Sequence, residues 1–281
     1  MPYSDLTFTQ LDTYLLQQPE GQIIHQIWFG TIPNRLQARL AYQQPLLRSC
    51  RVSWDVHNPR MCHVIWNREH CFQLVRQYYA EYEELFRRFS YEIQRCDFVR
   101  YCLLHRYGGV YADMDYKCCK PLAQVFTEWN AHDIYLVESP NGPGDSLYVS
   151  NSFMMSRRRE HKFWKALMSE INVSNRQTSL LSLLSRHFEI MYTTGPGILT
   201  RLYHVYRFRY KLQSLPHALF HPLSLHKKSL TPDERHRAYT IHYGFGSWES
   251  LDSKILIELW TNYGILLWCL VVLILPQVLW S

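Results

Sequence analysis

The sequence predicts an α/β domain built on a mostly parallel sheet. Three observations predict it: short apolar runs rich in β-branched and aromatic residues, helical periodicity between those runs, and a glycine pair separating a helix from a strand. Strand, helix, strand alternation favours parallel pairing because a helix carries the chain back to the starting edge. Ligands of such sheets gather at the carboxyl ends of the strands.

The elements are taken in chain order. Ile23 to Phe29 and Met61 to Trp66 are short apolar runs rich in β-branched and aromatic residues, which suits buried strands. Then Phe72, Val75, Tyr79, Tyr82, Phe86 and Phe89 recur at three- and four-residue spacing, with Glu81, Glu83, Glu84, Arg87 and Arg88 on other faces. That predicts an amphipathic helix whose stripe is core. A second helix over Tyr91 to Arg106 stops at Gly108-Gly109, since glycine readily takes the positive φ of a helix cap. Val110 to Met114 and Ile134 to Val137 read as further buried strands. Ser139 to Ser146 is dense in turn formers and reads as a loop. Leu180 to Leu184 and Gly197 to Arg209 look helical around the turn Thr194-Gly195-Pro196-Gly197, and Pro216, Pro222 and Pro232 break up the His- and Leu-rich segment beyond.

The chemistry concentrates in Tyr107-Gly108-Gly109-Val110-Tyr111-Ala112-Asp113-Met114-Asp115. Read as a strand, alternation puts Asp113 and Asp115 on one face, about 7 Å apart. Two acids held together call for a cation between them. Hard carboxylate oxygens suit Mg2+ or Mn2+, which complete their shells with water and substrate phosphates, so the pair points to a nucleotide-sugar site. A bare Asp-x-Asp is weak, but upstream Asp97, Arg100 and Leu104 share one helical stripe that ends beside it. An acid and a base there are placed to grip sugar hydroxyls.

These residues resemble glycosyltransferase family 32, which includes inositol phosphorylceramide mannosyltransferases and is related to the clostridial glucosylating toxins. Seven blocks carry the resemblance in order: Ile23 to Gly30, Asp97-x-x-Arg100, Gly108 to Asp115, Pro121-Leu122, Asn151 to Met155, Tyr192 to Gly197, and His242 with Gly246-Ser247-Trp248. The resemblance implies a GT-A type fold over residues 1–254 and retaining transfer of a hexose from a nucleotide sugar, GDP-mannose or a UDP-hexose. It implies Trp28 beside the base, Asp97 and Arg100 on the donor sugar, and Asp113 and Asp115 on Mn2+ or Mg2+. His242 joins the metal, Trp248 the diphosphate, and Tyr111 and Asn151 fall in donor-binding blocks. The implied acceptor is a lipid or another membrane-bound molecule, leaning towards a glycolipid. A toxin-like transferase acting on a host protein and a non-catalytic, membrane-anchored binding module stay open as alternatives.

Composition agrees. A net charge of +6 and a sequence pI near 8.8 favour anionic partners such as sugar nucleotides. No basic run interleaved with aromatics argues for nucleic acid. The eight cysteines lack paired zinc-ligand spacing.

Residues 255–281 form the other distinctive segment. From Tyr263 onward they carry no charge and would reach roughly 27 Å as a helix, the thickness of a bilayer core. The expectation is a C-terminal membrane anchor, with no secretory signal at the start and the catalytic domain in the cytosol.

Overall fold

A computed structural model describes residues 3, 5–29, 45–140, 147–176, 185–224 and 227–244. Its helices are α1 (Phe8–Gln17), α2 (Pro45–His57), α3 (Arg68–Tyr78), α4 (Glu83–Arg88), α5 (Glu92–Tyr107), α6 (Leu122–Glu128), α7 (Lys162–Arg176), α8 (Arg186–Thr193), α9 (Pro196–Tyr206), α10 (His217–Phe220) and α11 (Pro232–Arg237). Its strands are β1 (Ile23–Ile27), β2 (Cys62–Trp66), β3 (Gly109–Ala112), β4 (Tyr116–Cys118), β5 (Ile134–Glu138), β6 (Val149–Ser156), β7 (Leu212–Leu215) and β8 (Thr240–His242).

Six strands form one sheet in the order β2-β1-β3-β6-β5-β7, and β4 pairs with β8 in a separate ribbon. Pairs β1–β2, β1–β3 and β5–β7 are parallel, whereas β6 runs antiparallel to both β3 and β5. The sheet is therefore mostly parallel, as expected, with one reversed strand.

Every residue of β1 is buried, because helices cover both faces of the sheet. Ile23 and Ile27 pack into a core shared with α1, α3, α5, α7 and α9, while Ile24 faces a second core holding Trp54 of α2, Leu122 of α6 and Phe220 of α10. This is a three-layer arrangement, since alternate residues of a central strand feed opposite cores.

Two local readings change. The expected helix through Phe72 to Phe89 is broken into α3, a single 3₁₀ turn at Ala80–Tyr82, and α4. Tyr79 leaves helical geometry at φ −138°, ψ 40°, and its buried hydroxyl donates to the Cys102 carbonyl of α5 at 3.0 Å. The second change concerns the acids. The strand ends at Ala112, and the Tyr116 N–H donates to the Asp113 carbonyl at 3.1 Å, closing a tight turn.

The membrane-attached, cytosolic location expected from a C-terminal anchor is corrected. Among the described residues no helix is long and apolar enough to cross a membrane. A span needs about 20 apolar residues, whereas the longest helices, α5 and α7, have 16 and 15 and pack their apolar residues into the core. Residues 255–281 lie outside the described residues, as do the expected helix at Leu180 to Leu184 and the tip of the Ser139 to Ser146 loop.

Candidate functional site

The site forms where β3 ends. Gly108 caps α5 at φ +64°, its N–H donating to the Leu104 carbonyl at 3.1 Å, and Gly109 then enters β3 at φ +91°. The last turns of α5 thus run beside the strand that delivers Asp113. The Asp113 main chain is fixed from two sides: its N–H donates to the Ser152 carbonyl at 2.9 Å, and its carbonyl accepts from Gln26 Nε2 at 3.0 Å. Gln26 Oε1 lies 2.8 Å from His63 Nε2, and His63 Nδ1 lies 2.7 Å from Asp55.

The ribbon supplies the rest. Register pairs Tyr116 of β4 with His242 of β8, and the two rings stack at 4.4 Å with an interplanar angle of 8°. His242 Nε2 lies 3.1 Å from Asp115 Oδ1. One candidate ligand atom from each of Asp113, Asp115 and His242 falls within 4.8 Å of the others. Two carboxylates and an imidazole fit a hard or borderline divalent cation, with positions left for water and phosphate oxygens. The turn achieves what strand alternation was expected to do: both acids face one point.

A buried polar cluster adjoins it. Asp97 and Arg100 of α5 are each 3% exposed. Arg100 Nη2 meets Asp97 Oδ1 at 3.0 Å, while Nη1 lies 3.4 Å from Asp113 Oδ1 and donates to the Asn151 carbonyl at 2.8 Å. Asn151 Nδ2 donates to Asp97 Oδ1 at 2.9 Å and to the Tyr101 hydroxyl at 3.1 Å, and the Thr194 hydroxyl donates to Asp97 Oδ2 at 3.1 Å. Tyr111 donates its hydroxyl to Asp113 Oδ1 at 2.7 Å and lays its ring under Arg100, 4.7 Å from the guanidinium carbon.

Electrostatics follow from burial and these partners. Burial pushes the Asp97 carboxyl up to about 6, although the Arg100 charge and the Thr194 and Asn151 hydrogen bonds pull it back. Burial also raises Asp113 above its ordinary value, Asp115 adding to the shift and Arg100 opposing it. Burial works against charge on His242, but Asp115 overcomes it and holds the imidazole above its ordinary value. Burial and the neighbouring His242 push His221 well below its ordinary value.

Of the residues singled out in the sequence, Asp97, Arg100, Tyr111, Asp113, Asp115, Asn151 and His242 converge. Trp28 follows β1, at the same edge of the sheet as Asp113; its Nε1 is buried and has no hydrogen-bond partner among the described residues. Trp248 lies outside the described residues. Gln26, His63, Tyr101, Thr194 and His221 join the cluster beyond the residues given a role in the sequence. Tyr101 shares α5 with Asp97 and Arg100, and Gln26 and Thr194 fall in the Ile23 to Gly30 and Tyr192 to Gly197 blocks, whereas His63 and His221 carried no local signal and reach the cluster across long stretches of chain.

Comparison with known proteins bears on this geometry. Residues 46–135 match the family model of a glycosyltransferase sugar-binding region containing a DXD motif. Asp113-Met114-Asp115 is that motif in this chain. Over 115 residues the chain is 32% identical to mannosyl phosphorylinositol ceramide synthase of Saccharomyces cerevisiae, covering 41% of this chain and 28% of that protein. Over 246 residues it is 25% identical to inositol phosphoceramide mannosyltransferase 3 of Schizosaccharomyces pombe, covering 87% and 60%. The chain thus spans less than two thirds of the length of either relative. Among solved structures, the PaToxG glycosyltransferase superposes with a TM-score of 0.47 at 16% identity, covering 70% of this chain and 75% of that one. By sequence, the chain is similar to glycosyltransferases.

Proposed function

We propose that this chain is a metal-dependent, retaining glycosyltransferase of GT-A type that moves a hexose from a nucleotide sugar to a glycolipid acceptor. The observation that carries the reading is the convergence of Asp113, Asp115 and His242 within 4.8 Å, next to the buried Asp97–Arg100 pair. The matched family region supports the reaction class. The names of the relatives, which specify mannosyl transfer to inositol phosphoceramide, favour GDP-mannose over a UDP-hexose and an acceptor of that kind.

Asp113, Asp115 and His242 would hold Mn2+ or Mg2+, which supplies Lewis-acid stabilisation of charge on the departing diphosphate. Asp97 accepts hydrogen bonds from sugar hydroxyls, and Arg100, clamped by Asp97, Asp113 and the Asn151 carbonyl, orients them without reorganising. Tyr111 and Asn151 hold that clamp. Trp28 would offer to the base an aromatic face and an N–H that has no partner among the described residues. Among the described residues each carboxylate of the cluster is already engaged, Asp97 by Arg100, Asn151 and Thr194, Asp113 by Tyr111 and Arg100, and Asp115 by His242, which favours attack by the acceptor hydroxyl from the face the diphosphate leaves, with a diphosphate oxygen taking its proton. Trp248 belongs to the same proposal as a diphosphate donor.

The test is a panel of nucleotide sugars scored for Mn2+-stimulated hydrolysis, then for transfer to lipid and to protein. GDP-mannose is expected to lead and lipid to be the better acceptor. Asp115→Asn should lower hydrolysis by about 100- to 1,000-fold with its circular dichroism unchanged, removal of a charge-stabilising group costing about 2.7–4 kcal/mol of barrier. A wild-type rate in that variant overturns the metal reading.

A further inference from the structure

We propose that His221 is a positioning residue of the cation site: it accepts the Nδ1 proton of His242, so that Nε2 of His242 presents its lone pair to the space shared with Asp113 and Asp115. This rests on the metal reading of the acidic turn.

A neutral imidazole carries one proton and one lone pair, and the partner of the far nitrogen decides which nitrogen holds which. For His242 the near nitrogen is Nε2, 3.1 Å from Asp115, and the far one is Nδ1. The group facing Nδ1 is His221 Nε2, at 2.9 Å, with the two rings 4.5 Å apart and tilted by 63°. The tilt means the two rings are not stacked on each other, and the 2.9 Å separation of the two ring nitrogens is that of a hydrogen bond between them.

Tyr116 stacks flat on the other side and fixes the plane of the His242 ring, but stacking leaves rotation within the plane free. The bond to His221 removes that freedom. His221 is 8% exposed, its Nδ1 has no hydrogen-bond partner among the described residues, and the bond to His242 is the one hydrogen bond its side chain makes among them. A buried polar atom without a partner costs about 1–3 kcal/mol. The fold tolerates that cost at His221, where an apolar side chain would fill the space without it. Second partners of metal-bound histidines typically change affinity about 10- to 100-fold.

The experiment is a Mn2+ titration followed by electron paramagnetic resonance, with no nucleotide sugar present. His221→Phe should bind Mn2+ about 10- to 100-fold more weakly than wild type. His221→Gln, which keeps an acceptor on a side chain of similar reach, should stay within about threefold. Equal affinity in wild type and folded His221→Phe overturns the inference, as does a His221→Gln variant no better than Phe. Absence of Mn2+ binding by wild type instead defeats the metal reading itself. Should the Phe variant fail to fold, wild type decides the matter through 15N-histidine spectra with Mg2+. The proton of His242 must then sit on Nδ1, and a proton on Nε2 overturns the inference.

Discussion

Asp97 is the residue whose environment most shapes the expected chemistry. Its carboxyl is pushed up to about 6 by burial, so the ionised form that would accept sugar hydroxyls in the proposed reaction is lost early on acidification. Donor turnover measured as kcat/KM should fall roughly tenfold per pH unit below about 6. In Asp97→Asn that limb should vanish from the residual rate, itself at least about 100-fold lower. Persistence of the limb in the variant would assign it to another group. Stability responds in the opposite sense. The native state binds this proton more tightly than the unfolded chain, so the group favours the fold below 3.8 and that advantage is lost as pH rises to about 6. None of this was visible in Asp97-x-x-Arg100 as a spacing. The helical stripe identified the pair, but Thr194 and Asn151, which complete it, lie 97 and 54 residues away.

At the scale of elements, the glycine pair matters most. A Cβ on Gly109 would stand 2.2 Å from the Ile23 carbonyl oxygen in β1, at a φ of +91° that side chains rarely adopt. Gly244 has a φ of +60° and no atom of the described residues within 4 Å. Gly109→Ala is therefore expected to cost several kcal/mol, about 3 or more, in urea unfolding, because strain and the parting of two strands combine. Gly244→Ala should cost roughly 1 kcal/mol. Equal losses would mean that backbone strain alone, rather than the β1–β3 approach, sets the requirement. The same contrast explains what the sequence revealed. β1, β2 and β5 were legible because short runs dominated by β-branched and aromatic residues mark them, even though His25, Gln26 and His63 fall within β1 and β2. β6 was not read as a strand, since Ser150, Asn151 and Ser152 interrupt its pattern; these polar residues bond to Tyr116, Asp97 and each other inside the fold. The three-residue strands β4 and β8 are too short to leave a period, and Asp113 to Asp115 alternates like a strand while folding as a turn.

For the whole molecule, α1 is bound to the site-bearing helix by one buried acid. Asp12 accepts from Arg106 Nε at 2.7 Å and Nη2 at 2.9 Å, from the Tyr78 hydroxyl at 2.7 Å and from the Tyr107 hydroxyl at 2.6 Å. Asp12→Ala strands a half-buried guanidinium and two phenols, and should cost about 3–5 kcal/mol. Mn2+ affinity should stay within twofold of wild type, because the acid lies on α1 and joins none of the cation-site groups; a parallel loss of affinity would show that this contact governs the position of α5. The triple arginine at 157–159 is absorbed in the same way. Arg157 donates to the Phe126 and Trp129 carbonyls, Arg158 pairs with Asp133, and Arg159 donates to carbonyls at the end of α1. The ribbon of β4 and β8 stands apart from the large sheet, and this has a bearing on biosynthesis. A nascent chain has every strand of the six-stranded sheet once Leu215 is made, yet it owns two of the three groups proposed to hold the cation until His242 leaves the ribosome. On that proposal, metal loading would wait for a domain whose translation has reached its last described strand.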